Sequence, residues 1–353
     1  MLRSLPPTEF ECHVVVPAEP PLRADFEAAG ATIHIVPMRR ISTSHGMLQW
    51  LAYAFGWPRA VARIRRLVRE LDVDVVHTNS LHSWYGWAAA RFAGRPHVWH
   101  AREIVVQSGT ARRVERFLAR RFATRVVCSS QAIADQLDPY NSVVIHDAPD
   151  PNVFHPSRAG RARARVSVPD DAPLIGVVGR IDTWKGVDVL LDAWPRLKAA
   201  VPTAHLVVAG GTVQGKERFA DELAVRARAL PDAHWLGELD QDNVADLLAD
   251  LDVIAVPSTE PEPYGFAVVE ALMSGTPVVA TDAGGPREML ALAAPDAGRL
   301  VPPRDAAALA DALAATLQGA QPTTPENRAT RTRLIVLPPG DVAEVFRVAA
   351  APR

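Results

Sequence analysis

Lysine is nearly missing from this 353-residue chain, with three lysines among 38 basic residues. Cysteine is as scarce. Cys12 and Cys128 are the only two, too few for a disulfide framework or a cysteine-built zinc site, and a reducing compartment fits. Long hydrophobic runs are absent. No apolar stretch approaches the roughly 18–20 residues of a membrane span. The opening MLRSLPPTEFE has no apolar core of the kind a secretory leader needs, so the expected location is cytoplasmic. The Gly-x-Gly-x-x-Gly pattern is missing, which argues against a dinucleotide oxidoreductase. So is the Gly-x-Ser-x-Gly elbow of serine hydrolases. No cluster of Asp, Glu and His has usable metal-ligand spacing, and no nucleic-acid motif is present.

The length accommodates two domains, and the composition, 48% hydrophobic and 22% charged, is that of a globular protein. Twelve short Val/Ile-rich runs are expected to be strands: 12–16, 32–36, 73–77, 96–100, 125–128 and 142–146, then 174–179, 205–210, 233–237, 252–257, 277–281 and 299–301. Their apolar residues do not strictly alternate, which suits parallel strands covered on both faces. Helix-length stretches separate most of them. Residues 58–71 set Val61, Ile64, Leu67, Val68 and Leu71 on one face behind a Pro58 suited to a first turn. This strand–helix alternation predicts two doubly wound α/β domains. The Pro-, Asp- and Arg-rich stretch 146–165 marks the boundary. The expected parts are 1–156, 157–325 and a C-terminal segment, 326–353, returning toward the first. Ligands are then expected in a cleft at the carboxyl ends of the two sheets.

Four constellations carry chemistry. In VVGRIDTWKG (177–186) a strand ends at Gly179, Arg180 and Lys185 follow, and Gly186 opens a helix. Two cations beside a helix N-terminus suit a phosphate, although solvated loop charges would read the same way. In EPYGFAVVEALMSG Glu262 precedes a helix and Glu270 lies two turns inside it. With Gly265 at the turn, the first helix amides are free for an anion. Glu262 could accept hydrogen bonds from sugar hydroxyls, and Glu270 from a ribose. The plain alternative is an acidic helix start and a core-edge residue. DAGGPRE (282–288) adds Gly284 and Gly285, which permit close backbone approach, and a helix starting at Pro286. Finally, His100 ends the strand PHVWH, where a side chain is expected to face the cleft.

Together these segments resemble the retaining GT-B glycosyltransferases of family four, the group that includes glycogen synthase-like and bacterial glycan-assembly enzymes. GRIDTWKG is similar to the family's GR-x4-KG segment, Glu262 to Glu270 to its Glu-x7-Glu motif, and SGTPVVATDAGGPRE to the continuation. RVVCSSQAIADQL and DPNVFHP resemble the end of its first domain. The resemblance implies two Rossmann-like domains facing a cleft and transfer of a hexose from a nucleotide-sugar to an acceptor hydroxyl, with retained configuration. It implies a UDP- or GDP-linked donor as substrate, with no separate cofactor and no metal ion. Arg180 and Lys185 would hold the diphosphate, Glu262 the sugar and Glu270 the ribose. Gly265 and Phe266 would offer amides, Leu236 and Gly237 would cradle the base, and His100 would lie near the reacting face. The acceptor would be a glycan or lipid-linked sugar, and no nucleic-acid partner is expected.

Family members open with a strand, a glycine-rich loop and a helix ahead of the segment matching FECHVVVP, where this chain has only MLRSLPP. The first domain is therefore expected to lack its first strand and helix, as a truncated gene would. A binding-only pseudo-transferase, or an epimerase or hydrolase on the same scaffold, is the competing expectation. Charge is uneven. Residues 1–156 hold 18 Arg and 14 acidic residues, the remainder 20 basic and 26 acidic, and 39–125 hold 16 Arg against 5 acids. With MLQWLAYAFGW (47–57), this basic region is a candidate for peripheral contact with an anionic membrane.

Overall fold

The computed structural model describes residues 1–39, 47–106, 108–137, 141–319, 328, 331–335, 337 and 340–351, without the side chains of residues 3, 47–50, 164 and 319. Contacts divide the chain into two units, Met1–His146 with Pro339–Arg353, and Asp147–Pro338. The division falls at 146/147 and not at 156/157, because the segment after Asp147 is fastened to the second unit. The Tyr264 hydroxyl donates to the Asp147 carbonyl, Phe154 is buried in that unit's core, and Arg158 donates to Asp246 at 2.7 Å. The expected 326–353 segment is also split. Leu334 N donates to Leu272 O at 2.8 Å, inside the second unit, and only the last helix belongs to the first. Residues 326, 327, 329, 330, 336, 338, 339, 352 and 353 lie outside the described residues.

The first unit contains β1 (Cys12–Val16), α1 (Arg23–Ala28), β2 (Ala31–Ile35), α2 (Met47–Glu70), β3 (Val76–Asn79), α3 (Tyr85–Ala93), β4 (His97–Ala101), α4 (Gly109–Phe122), β5 (Arg125–Cys128), α5 (Gln131–Leu137) and β6 (Ser142–Val144). β1 pairs with β2, and β3-β4-β5-β6 form a second sheet, all in parallel. Two expectations are corrected here. β3 starts three residues late, because 71–73 make the exit turn of α2, with Val73 N bonded to Val68 O at 3.0 Å. α2 begins at Met47, so Pro58 sits inside the helix and not in its first turn. Proline lacks the amide for the preceding turn. Just there the Arg59 guanidinium donates to the Phe55 carbonyl at 2.9 Å. Val61, Ile64 and Val68 are buried as expected, whereas Leu71 is exposed.

The second unit runs β7 (Leu174–Val178), α6 (Val187–Ala200), β8 (His205–Ala209), α7 (Glu217–Ala229), β9 (Ala233–Gly237), α8 (Gln241–Asp250), β10 (Val253–Val256), α9 (Phe266–Met273), β11 (Val278–Thr281), α10 (Gly285–Ala291), β12 (Gly298–Val301) and α11 (Ala306–Gly319). The last helix of the chain, α12 (Val342–Ala350), is in the first unit. The six-stranded sheet has the order β12-β11-β10-β7-β8-β9. Alternate strand residues bury opposite faces. Leu174, Val207, Ile254 and Val278 join one core, and Ile175, Leu206, Val253 and Val279 the other. That explains runs too apolar for simple alternation. At the foot of β10 the buried Asp252 carboxylate accepts from Arg163 at 2.6 Å and from Arg331 at 3.1 Å. A buried carboxylate needs such partners, and they fasten the segments carrying Arg163 and Arg331 to the base of the sheet.

Candidate functional site

In the second unit, strand order reverses between β7 and β10. From β7 the chain moves outward through β8 and β9, then returns to place β10 on β7's other side. The loops leaving the carboxyl ends of these two strands diverge, and ligands of open α/β sheets bind in the crevice so formed. GRIDTWKG leaves β7, and the loop with Glu262 leaves β10. The two motifs are thus neighbours because of topology, although 77 residues separate Lys185 from Glu262.

Their side chains meet. Lys185 Nζ lies 2.6 Å from Glu262 Oε1, and the Ser258 hydroxyl donates to the same oxygen at 2.6 Å. Glu262 is buried at 4% exposure, while Lys185 is partly open. The ammonium also sits 4.3 Å from the centre of the Trp184 ring. The Trp184 indole N–H donates to Asp182 at 3.1 Å, and the Trp184 carbonyl accepts from Thr259 N at 2.8 Å. Arg180 is exposed beside this pair and makes no side-chain bond among the described residues. The structure therefore offers one cation held against a carboxylate and a second left open, an arrangement that suits a polyanionic ligand.

Two glycines make the loops fit. Gly186 has φ +69°, and a Cβ there would meet the Pro257 carbonyl oxygen at 1.9 Å. Gly284 has φ +77°, and its Cβ would meet the Glu262 carbonyl oxygen at 2.1 Å. Only glycine allows either approach. Gly285 N then donates to Glu262 O at 2.8 Å, so DAGGPRE fixes the backbone of Glu262. α10 starts at Gly285, one residue before the expected Pro286.

Gly265, at φ +94°, caps α9, whose first residue Phe266 is exposed. Glu270 lies one helix turn beyond Phe266, half-buried, and its carboxyl has no side-chain partner among the described residues. Burial pushes its pKa up from 4.5 to about 7. A depression of about 420 Å³ opens beside Arg180, walled by Gly210, Gly211, Gln214, Glu238 and Leu239. The predicted base-contact residues Leu236 and Gly237 end β9 just before this wall; Leu236 packs into the core. Glu238 and Leu239 line the space instead.

His100 lies in the first unit. It is 2% exposed, stacked edge-on to His77 at 5.6 Å, with Nε2 3.5 Å from the Ser129 hydroxyl. Burial, with Arg102 and the N-terminus adding to it, lowers its pKa to about 3, so the imidazole is neutral. An open side chain at the strand end is not what the structure shows.

Ser258, Trp184, Gly210, Gly211 and Glu238 escaped the sequence reading. A readable signal existed for the glycines, since the GG of VVAGG directly follows β8. The Ser258 and Trp184 contacts depend on two loops meeting and had none. Three Asp-x-Asp triplets also occur, at Asp72 and Asp74, at Asp240 and Asp242, and at Asp250 and Asp252, the last pair engaged by Ala162 N and by Arg163. Asp240 caps α8, Asp242 accepts from Arg158, and Asp72 pairs with Arg95. Among the described residues, no three Asp, Glu, His or Cys side chains gather as metal ligands.

Trp184 holds Lys185 through its ring, an interaction typically worth about 0.5–2 kcal/mol. Trp184→Leu is expected to lower the affinity of this site for a polyanionic ligand by about tenfold, with Trp184→Phe recovering most of the loss. Binding titrations on both variants, with the melting temperature as control, check this.

Two α/β units of parallel strands, one with paired motifs at its switch point, have the architecture of the GT-B glycosyltransferases. The description "Glycosyl transferases group 1" matches residues 160–333, and "Glycosyl transferase 4-like domain" matches 1–146; the chain belongs to this glycosyltransferase family. D-inositol 3-phosphate glycosyltransferase of Stackebrandtia nassauensis is 30% identical over 298 residues, covering 76% of this chain and 65% of the relative. The enzyme of that name from Mycolicibacterium paratuberculosis is 34% identical over 215 residues, covering 57% and 46%. The chain thus spans about half to two thirds of the length of these relatives. Among solved structures, Anabaena HepE in complex with UDP and glucose matches with a TM-score of 0.74 at 25% identity, covering 96% of this chain and 90% of HepE. Sucrose-phosphate synthase of Thermosynechococcus elongatus shares the fold, with a TM-score of 0.67 at 23% identity, covering 92% and 88%.

Proposed function

We propose that the protein is a glycosyltransferase that moves a hexose from a nucleotide-sugar to an acceptor hydroxyl on a glycan or lipid-linked sugar, with retention. The observation that carries this reading is the Lys185–Glu262 contact at the switch point, with Arg180 open beside it. In this reading Arg180 and Lys185 take the charge that develops on the leaving diphosphate, so that catalysis is electrostatic. Glu262 orients the sugar, Glu270 binds the ribose, and the amides after Gly265 face the phosphate or sugar. The base occupies the depression walled by Glu238 and Leu239. UDP is the first donor to try, ahead of GDP, since HepE was crystallised with UDP and with UDP-glucose. The reading needs no separate cofactor.

The test is a matrix of UDP- and GDP-sugars against sugar and lipid-linked acceptors, following nucleoside diphosphate release. Acceptor-dependent release, with a product of unchanged anomeric configuration by NMR, supports transfer. Binding of a donor without turnover on any acceptor would leave a binding protein, and release that ignores the acceptor would leave a hydrolase.

A further inference from the structure

The depression beside Arg180 has one carboxylate among its described lining residues, that of Glu238. Its floor is apolar. Val178, Leu239 and Val244 are half-buried there against the core of the second unit, a surface that a planar base can cover. Gly210 N donates to Gly237 O at 2.7 Å, which ties the ends of β8 and β9 together, and Glu238 follows directly. Its carboxyl carbon would lie 2.9 Å from a Cβ on Gly211, so the exposed side chain folds back over the Gly211 backbone at the rim. The carboxylate makes no hydrogen bond or ion pair among the described residues. Arg180 borders both this depression and the Lys185–Glu262 pair, whereas Glu238 borders the depression alone. A nucleotide with its diphosphate at Arg180 therefore has its base on the Glu238 side.

We propose that Glu238 reads the base and selects guanine, so that the substrate is a GDP-linked sugar. The inference rests on the donor reading above and names its base. An ionised carboxylate only accepts hydrogen bonds, so it favours the base edge richest in N–H groups. Guanine presents N1–H and a 2-amino N–H side by side, spaced for the two oxygens of one carboxylate. Uracil presents a single N3–H between two carbonyl oxygens, which a carboxylate repels. Cytosine and adenine each set an amino group beside a ring nitrogen that accepts, so one carboxylate oxygen is left unmatched. Gln214, on the same wall, carries an acceptor and N–H groups together and fits any of the four. Discrimination then falls to Glu238, and GDP binds more tightly than the UDP that is tried first.

The full chain is titrated by calorimetry with GDP, UDP, ADP and inosine diphosphate, whose base is guanine without the 2-amino group. GDP is expected to bind about tenfold more tightly than UDP, the low end for a two-point base contact because Glu238 is exposed. Inosine diphosphate and ADP are expected to bind more weakly than GDP. Glu238→Gln is expected to cost GDP about tenfold and to leave UDP as tight as before or tighter. Glu238→Ala reads the same loss for GDP without introducing an amide. The melting temperature should be unchanged in both variants, since the side chain is exposed. UDP or inosine diphosphate bound as tightly as GDP, or an equal loss for all four nucleotides in Glu238→Gln, would overturn the proposal and leave the donor reading standing. Failure of all four to bind the parent chain would overturn both.

Discussion

Lys185→Met is expected to lower sugar transfer by about 10³-fold and also to lower the melting temperature. Both effects have one origin. Glu262 is buried, and its Oε1 accepts from Lys185 and Ser258 at 2.6 Å each. Removing the ammonium leaves an uncompensated carboxylate, a loss of up to about 3–5 kcal/mol for a fully buried pair and less here, because Lys185 is partly open. The double variant Lys185→Met with Glu262→Gln removes both charges. It is expected to recover most of the stability and none of the activity. Stability and activity then part company, which a purely structural ion pair would not produce. The measurements are thermal melts beside transfer rates for the two single variants and the double. An active double variant would sink the catalytic assignment. If Lys185→Met alone melts as the parent does, the energetic account of the pair is wrong.

The strands of the six-stranded sheet and of β3-β4-β5 could be read from the sequence because both faces of those sheets are buried. Valine and isoleucine runs such as LIGVV and HLVVA at Leu174–Val178 and His205–Ala209 leave few other structures. Switch-point geometry follows once strand order is known, but order comes from pairing across long separations. The unit boundary was legible only to within a linker. Nothing in the sequence says that Phe154 is a core residue of the second unit. The start of α2 was missed because Pro58 imitates a helix opening, and the Arg59 to Phe55 contact that accompanies it can be seen only in three dimensions. Spacing singled out Lys185, Glu262 and Glu270 as candidates, and the structure brings the first two into contact. It could not report that Lys185 rests on Trp184 or that Ser258 shares the carboxylate. Strand-end position said nothing about the depth of His100, which the layer around His77 and Phe346 decides.

Donor binding is expected to strengthen about tenfold per pH unit from pH 5 to near 7, then level off. The cause is Glu270, whose carboxyl is held at a pKa of about 7 by burial, without a side-chain partner among the described residues. Below that pH it carries a proton and cannot accept from both ribose hydroxyls. Binding must expel the proton, so affinity falls as pH falls. Folding responds with the opposite sign. A folded-state pKa raised above the ordinary 4.5 contributes stability that is complete below pH 4.5 and is lost as pH rises through 7. In the proposed reading, the site gives up fold stability near neutral pH to keep a carboxylate ready for hydroxyl donors. Calorimetry with an intact nucleotide-sugar separates this proton from those of free nucleotides, whose terminal phosphate titrates near pH ~6. Titrations in buffers of different ionisation enthalpy should show about one proton released near pH 6 and almost none at pH 8.5. Glu270→Gln should flatten the pH profile, weaken binding at pH 8 and remove the loss of stability between pH 5 and 7. Affinity that rises as pH falls would mean that the protonated carboxyl is the donor, and the ribose assignment would have to be given up.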